Sequence, residues 1–405
     1  PGHTGVQSPD QIRANVLDTT MHKVIENLTE DVDTGTQDDE PEARAIVCRG
    51  SAAEVNEAFI RNEWGDGLPV VPPTRSRIEA FLAHTRRSPD QVLGVMLPDR
   101  RIATIWSVAV NGVMAGCRPE YMPILVALAE AMCDPQYGVE HSGNTPGADT
   151  LIMLNGPVIA QMGFNFEQGV MRDGFQPNTS IGRFWRLYLR NVAGFLPHKT
   201  DKGTYGNTWR VVVPENEEAL AQLGWPSIAM EAGFSRQDST VTVARYTGGD
   251  VIASLSGHQP EQLLDYLSDA MFRHISWQMC FSLSQGYGTL RPLVMLTPIL
   301  AQTFADAGWS KPDIRQYLFE HARIPAWEFE RHMRDWNGRP VWDLLDEFRQ
   351  GRIPAIYAES EDPNRRVPLV WAPDDYMIVV TGDPLRNSAY VFAHNGVLGY
   401  PVTKA

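Results

Sequence analysis

Four chemically capable side chains crowd into one short segment of this chain, Gly116-Cys117-Arg118-Pro119-Glu120-Tyr121. A thiol, a guanidinium, a carboxylate and a phenol occupy a Gly/Pro-bounded loop between two apolar helical patterns. Cys117 is the candidate nucleophile, redox thiol or soft ligand, and Glu120 and Tyr121 are candidates for moving protons. Arg118 favours a thiolate only where its side chain folds back toward the sulfur. If Pro119 opens the second helix, Cys117 lies near that helix's positive end, which eases ionisation. If Pro123 opens it, Cys117 sits nearer the negative end of the preceding helix and loses that help. The plain alternative is a buried cysteine serving as a small hydrophobe.

A second constellation follows Asn178-Thr179-Ser180, where Ile181 to Arg190 reads as a helix with Thr179 or Ser180 as its N-cap. At helical spacing Arg183, Arg186 and Arg190 fall within about 60° of one another. Ile181, Phe184, Trp185, Tyr188 and Val192 take the opposite side. Three like charges on one stripe repel by tenths of a kcal/mol per pair. Such a stripe is expected to face an anion, either a substrate carboxylate or phosphate or the protein's own acidic residues. Arg118, Asn155 and Asn178 join it as candidate substrate contacts. His141, in the loop Glu140 to Gly147, could act as the base for a thiol. His198-Lys199-Thr200-Asp201 follows the arginine helix and either lines the same cleft or forms an exposed turn. Glu215-Asn216-Glu217-Glu218 could supply a general base or an oxygen-ligated cation site, though a solvated helix start is the plainer reading.

Several signatures are missing. The chain has no Gly-x-Gly-x-x-Gly after a strand, no phosphate loop, no His-Glu-x-x-His, no Gly-x-Ser-x-Gly and no Cys-x-x-Cys. A nucleotide held by a Gly-rich turn is therefore disfavoured, no ligand spacing points to a metal, and the cofactor is unknown.

The elements that must position these groups are legible in outline. Helical patterns cover residues 9–28, 51–62, 75–85, 103–115, 123–133, 261–281 and 310–322. Residues 151–154, 293–296 and 377–380 are short apolar strands, and 209–213 and 240–244 are strand-like. Trp64 to Thr74 is too rich in Gly and Pro for a long helix and reads as a rigid loop. Helices alternating with short buried strands predict an α/β fold of layered helices and strands. In such sheets ligands sit outside the carboxyl ends of strands, which makes Asn155–Pro157 and Thr381–Pro384 candidate pocket walls. The expected division is an N-terminal helix and acidic arm (1–50), an α/β domain with both constellations (51–250) and a second α/β domain (251–405). Gly248-Gly249-Asp250 and Gly257-His258-Gln259-Pro260 punctuate the boundary. No internal repeat is evident. The acidic stretch from Thr29 to Glu42 is either a solvated linker or an arm that packs on another subunit.

Composition narrows the partners. With 35 basic and 49 acidic residues in 405, the formal net charge is -14, which disfavours nucleic acid. No apolar run reaches the roughly 18 residues of a membrane span. Four cysteines without a Cys-x-x-Cys pair suit a reducing compartment, so the expectation is a soluble, cytoplasmic protein.

Four ordered motifs resemble those of a poorly characterised bacterial family. They are Trp64-Gly65-Asp66-Gly67-Leu68-Pro69, Gly116-Cys117-Arg118-Pro119-Glu120-Tyr121, Asn155-Gly156-Pro157 and Asn178-Thr179-Ser180-Ile181-Gly182-Arg183. Glu215 to Glu218 and Ser239 to Val243 also fit, and the resemblance spans roughly residues 50–400. Members of that family resemble neighbours or partners of UGSC (seleno)proteins, which implies thiol or redox chemistry in a multi-component system. The His141–Gly147 segment and the arm before residue 50 depart from the family pattern. The expectation is an enzyme acting on a small anionic organic substrate, a thiol-dependent oxidoreductase or a carbon–heteroatom lyase or hydrolase. It would form a homo-oligomer or a hetero-complex with a UGSC-like subunit. The alternative is a non-catalytic scaffold subunit that stabilises a catalytic partner.

Overall fold

Strands whose residues are buried on both faces must be covered twice, and the apolar runs of this chain are of that kind. The computed structural model describes residues 7–30, 44–207, 209–257, 259–337, 342–396 and 398–405; Asp31 to Glu42 of the acidic stretch, and His258, lie outside them. Residues 1–51 and 52–405 form two separate units. In the first, a π turn (Val16–Thr20) joins α1 (Pro9–Asn15) to α2 (Met21–Thr29), with a Ser8/Gln11 capping box at the start.

The second unit begins with α3 (Ala52–Arg61), the Trp64–Thr74 loop and α4 (Arg75–Leu82). A hairpin of β1 (Val92–Met96) and β2 (Arg101–Thr104) leads into α5 (Ile105–Met114) and α6 (Met122–Cys133). Then come β3 (Asp149–Asn155), α7 (Val158–Met162), α8 (Gln176–Tyr188), β4 (Val212–Pro214), α9 (Glu217–Leu223), α10 (Ile228–Glu231) and β5 (Thr240–Ile252). After α11 (Pro260–Ile275) follow β6 (Leu293–Leu296), α12 (Pro298–Asp306), α13 (Lys311–His321), β7 (Arg323–Pro325), α14 (Ala326–Asn337), α15 (Leu344–Arg349) and β8 (Arg366–Pro368). The chain closes with β9 (Met377–Val380), β10 (Ala389–His394) and β11 (Val402–Lys404). The α/β class expected from the sequence holds.

The main sheet has the order β4-β3-β5-β10-β6-β9, with β11 on β5. Its pairing contains the same motif twice. β3 pairs parallel with β4 and antiparallel with β5; β6 pairs parallel with β9 and antiparallel with β10. The two motifs join where β5 and β10 run antiparallel, with Tyr246 opposite His394. Registers make Leu151 equivalent to Leu293, Val213 to Val379, and Tyr246 to His394. Antiparallel pairing of equivalent strands is what a local two-fold axis produces.

This corrects the reading that no internal repeat is present. Leu151-Ile152-Met153-Leu154-Asn155-Gly156-Pro157-Val158 echoes Leu293-Val294-Met295-Leu296-Thr297-Pro298-Ile299 with a one-residue gap. Such a short echo is lost among ordinary apolar strands until pairing sets it in register. The glycines that punctuate residues 248 and 249 lie inside β5, which crosses from one motif to the other.

The sheet curls until its edges meet. The Asn216 amide donates to the Val380 carbonyl at 2.8 Å, and the Thr381 hydroxyl to the Pro214 carbonyl at 2.7 Å. Side chains alternate across it as the pleat requires. Ile152 and Leu154 face a core under α5, α6 and α8, and Val294 and Leu296 face one built with α11 to α14. Leu151, Met153, Leu293 and Met295 fill the concave interior with Tyr246 and Phe392.

Candidate functional site

The hexapeptide hangs between two helix ends. Gly116, at φ +78°, ends α5 in the left-handed conformation that glycine adopts without strain, and the Cys117 amide bonds back to the Gly112 carbonyl at 3.0 Å. Pro119 opens a single 3₁₀ turn, Pro119–Tyr121, and α6 proper begins at Met122 with Pro123 in its first turn. Both prolines are thus starters, and Cys117 lies just before the positive end of the combined segment.

Helix α8 supplies the other wall. It begins at Gln176 with Pro177 in its first turn and no side-chain cap, so Thr179 and Ser180 lie inside it rather than capping it. The reason is tertiary, because Gln176 is tied down elsewhere. Its Nε2 donates to the Gly116 carbonyl at 3.0 Å and to the Ser180 hydroxyl at 3.3 Å. Its Oε1 accepts from the Tyr121 hydroxyl at 2.5 Å. Ser180 and, one turn on, Arg183 both pull the Cys117 thiol toward ionisation. Burial pushes the Cys117 thiol up to about 12, against the opposing pull of Ser180 and Arg183. Desolvation wins over helix-end help, and at neutral pH the group is a thiol.

The arginine stripe divides. Arg183 grips Asp66 through both ends of the carboxylate, Nε to Oδ2 at 2.9 Å and Nη2 to Oδ1 at 2.8 Å, and also donates to the Pro69 carbonyl at 2.9 Å. Burial pushes Asp66 up, but the bonds from Arg183 outweigh it and hold the carboxyl below its usual range. Arg190 donates to the Glu63 carbonyl at 2.9 Å. Two of the three arginines therefore clamp residues 63–69. That segment continues to Val71, whose amide bonds the Met114 carbonyl at 3.3 Å and whose side chain lies beside Gly116. Arg186 turns elsewhere, to Asp149 and the Asn207 carbonyl, and burial lowers it to about 10. The partners of Arg183 and Arg186 are the protein's own carboxylates, one of the two outcomes the stripe predicts.

The remaining candidates scatter. Asn178 is a clamp, donating to the Asn165 and Val212 carbonyls and accepting from the Asn165 amide. Asn155 Nδ2 donates to Glu215 and Glu217, both at 2.8 Å. Glu215–Glu218 is the helix start expected, with Asn216 capping α9, but it is not solvated at Glu215, which is only 1% exposed. It is drawn inside because its carboxylate also accepts from the Val380 amide across the closing edges of the sheet. His141 lies on a surface turn with its side chain 44% exposed, 4.0 Å from Glu140. Arg118 and Glu120 are exposed, and Lys199 pairs with Glu63 at the surface.

The structure thus gathers Cys117, Tyr121 and Arg183 and leaves His141, Asn155, Asn178 and Arg186 in other surroundings. It adds Gln176, Ser180 and Asp66. Only Asp66 had a sequence signal, as the acid of the Trp64–Pro69 motif. Two clefts lie elsewhere. One, of about 390 Å³, is lined by Asp250, Tyr266, Arg273 and His274. The other, of about 320 Å³, opens at the carboxyl ends of β6 and β9, where Thr297 and Thr381 line it. Comparison with family models, curated proteins and solved structures finds no match. Among the described residues, no helix is long and apolar enough to cross a membrane.

Proposed function

We propose that this chain is an enzyme acting on a small organic anion, with the Cys117 thiol as its reacting group and Arg183 as the anchor of the anion. The observation that supports it is the two-ended grip on a carboxylate by Arg183, which with Ser180, one helical turn away, favours the thiolate form of Cys117. Asp66 occupies the place a substrate carboxylate would take, and the loop from Trp64 to Thr74 covers the site at rest. A competing anion would release Asp66 and let water in. The desolvation that holds the thiol protonated would then fall, leaving Ser180 and Arg183 to favour the thiolate. Tyr121, held by Gln176, and Glu120 are the nearby proton carriers. Thiol redox, lyase and hydrolase chemistry all begin from such a thiolate. A UGSC-like subunit or a second copy of the chain is the expected partner.

The scaffold reading has an observation of its own, since Arg183, Arg190 and Gln176 are all engaged in holding loops together. Alkylation separates the two. Iodoacetamide labelling of Cys117, followed by peptide mass spectrometry, should be slow in the native protein. It should rise at least about tenfold in Asp66→Asn, whose weakened latch uncovers the site. Small carboxylates should produce the same rise in the native protein. A thiol equally unreactive in all three conditions, with the fold intact, sinks the enzyme reading and leaves the scaffold.

A further inference from the structure

The repeat allows one half of the sheet to be compared with the other at equivalent positions. In the first motif the crevice beyond the strand ends is filled by the protein itself. Asn155 bridges Glu215 and Glu217, the Gly156 amide donates to Glu217 at 3.0 Å, and the Val158 amide donates to the Ser239 hydroxyl at 3.2 Å. By register the equivalents of Asn155, Glu215, Asn216 and Glu217 are Thr297, Thr381, Gly382 and Asp383. These do not fill the space. Thr297 donates to the Ser388 carbonyl at 3.1 Å, Thr381 is bound to the Pro214 carbonyl, and Asp383 accepts from the Leu385 amide at 2.9 Å. Gly382 has no side chain to offer. What the first motif plugs, the second leaves open as the cleft of about 320 Å³.

We propose that this cleft binds a small carboxylate with an apolar, ring-sized body. Met295 and Tyr390 rise into it from the concave face of the sheet, Val170 and Met171 come from the loop above, and Val251 closes one side. A thioether and an aromatic ring are suited to packing on a ring of about six atoms. The volume lies at the small end of ligand pockets, which suits a ligand of this size. The polar groups at the rim select charge. Arg172 lines the cleft, and its guanidinium has no ion pair or hydrogen bond among the described residues, in a chain of net charge -14. Ser388 and Tyr390 also line it, and their hydroxyls have no hydrogen-bond partners among the described residues. A free guanidinium with two hydroxyls recognises a planar carboxylate. The place is where open α/β sheets hold their ligands. The site is independent of Cys117.

Isothermal titration of the full chain with benzoate, phenylacetate and cyclohexanecarboxylate tests this, with benzamide as the neutral control. At least one acid should bind saturably with a dissociation constant between roughly 10 µM and 1 mM, and benzamide at least about tenfold more weakly. Arg172→Ala should weaken the acid at least about tenfold. Val251→Trp, at a position 57% exposed and so harmless to the core, should abolish binding by filling the cleft. Cys117→Ser should bind as the parent does, so this result is separable from the alkylation result. No saturable binding by any acid overturns the proposal. So does binding that ignores both Arg172→Ala and Val251→Trp, or binding of benzamide equal to that of benzoate.

Discussion

At the scale of single residues, burial decides which candidate groups are chemically available. Cys117 has a serine, an arginine and a helix start beside it, all of which favour a thiolate, and desolvation still prevails. His394 shows the same effect more strongly. It lies fully buried between Tyr246 and Tyr400, and burial, then Arg245 and Arg291, lower it to about 3. Its folded value is below the unfolded one, so the unfolded chain binds the extra proton between about pH 6.5 and pH 3. Stability from this group is therefore complete above that window and is lost as pH falls through it, with a limiting slope of about 1.4 kcal/mol per pH unit. Urea unfolding at stepped pH should show that slope reduced by one proton's worth in His394→Phe. An unchanged slope would mean that His394 does not remain neutral in the folded state. None of this was legible in the sequence, where a lone histidine carries no sign of its depth.

At the scale of elements, α8 is the part that organises the candidate site. Asn178 ties its first turn to Asn165 and Val212, Ser180 favours the Cys117 thiolate, and Arg183 holds the loop above. Gly182 lets the helix lie directly on the backbone of residues 210 and 211, since a Cβ there would sit 2.2 Å from the Arg210 carbonyl oxygen. Gly182→Ala must therefore push α8 away, at a cost of roughly 1–3 kcal/mol from overpacking. Because α8 carries Ser180 and Arg183, the same variant should also speed alkylation of Cys117. Loss of stability with no change in alkylation would separate the helix position from the thiol's shielding. Asn178→Ala should cost about 1–3 kcal/mol for each buried partner it leaves unsatisfied, read as a shift in the urea midpoint. The helix itself was legible, because Ile181, Phe184, Trp185 and Tyr188 fall on one face and are all buried. Its start was not, because Pro177 and the ties of Gln176 extend it beyond the expected cap.

At the scale of the whole sheet, two like motifs share one concave core and close on each other through a buried ion pair. Lys311, fully buried, places its Nζ 3.8 Å from Glu215 Oε1. Burial pushes Glu215 up, against Lys311 and the N–H groups of Asn155, Ile228 and Val380. Removing one member leaves a buried charge without its partner, so Lys311→Met should cost about 3–5 kcal/mol. The double variant Lys311→Met with Glu215→Gln should recover most of that loss, because no charge is then buried. A double variant as unstable as the single one would show that the pair acts through the hydrogen bonds of Glu215 rather than through charge.

By itself the sequence determined the local layer of this protein. The strands at 293–296 and 377–380, the long amphipathic helices and the left-handed break at Gly116 follow from side-chain period and glycine chemistry, which act within a few residues. Only the tertiary structure decided which groups meet. Arg183 finds Asp66 across 117 residues, and Glu215 finds Val380 across 165. Neither separation leaves a trace in local pattern, because a guanidinium reads the same whether it faces water, a substrate or another part of its own chain. The repeat stands between these cases, since its two strands are written in the sequence as Leu151–Leu154 and Leu293–Leu296 and became a symmetry only through their pairing.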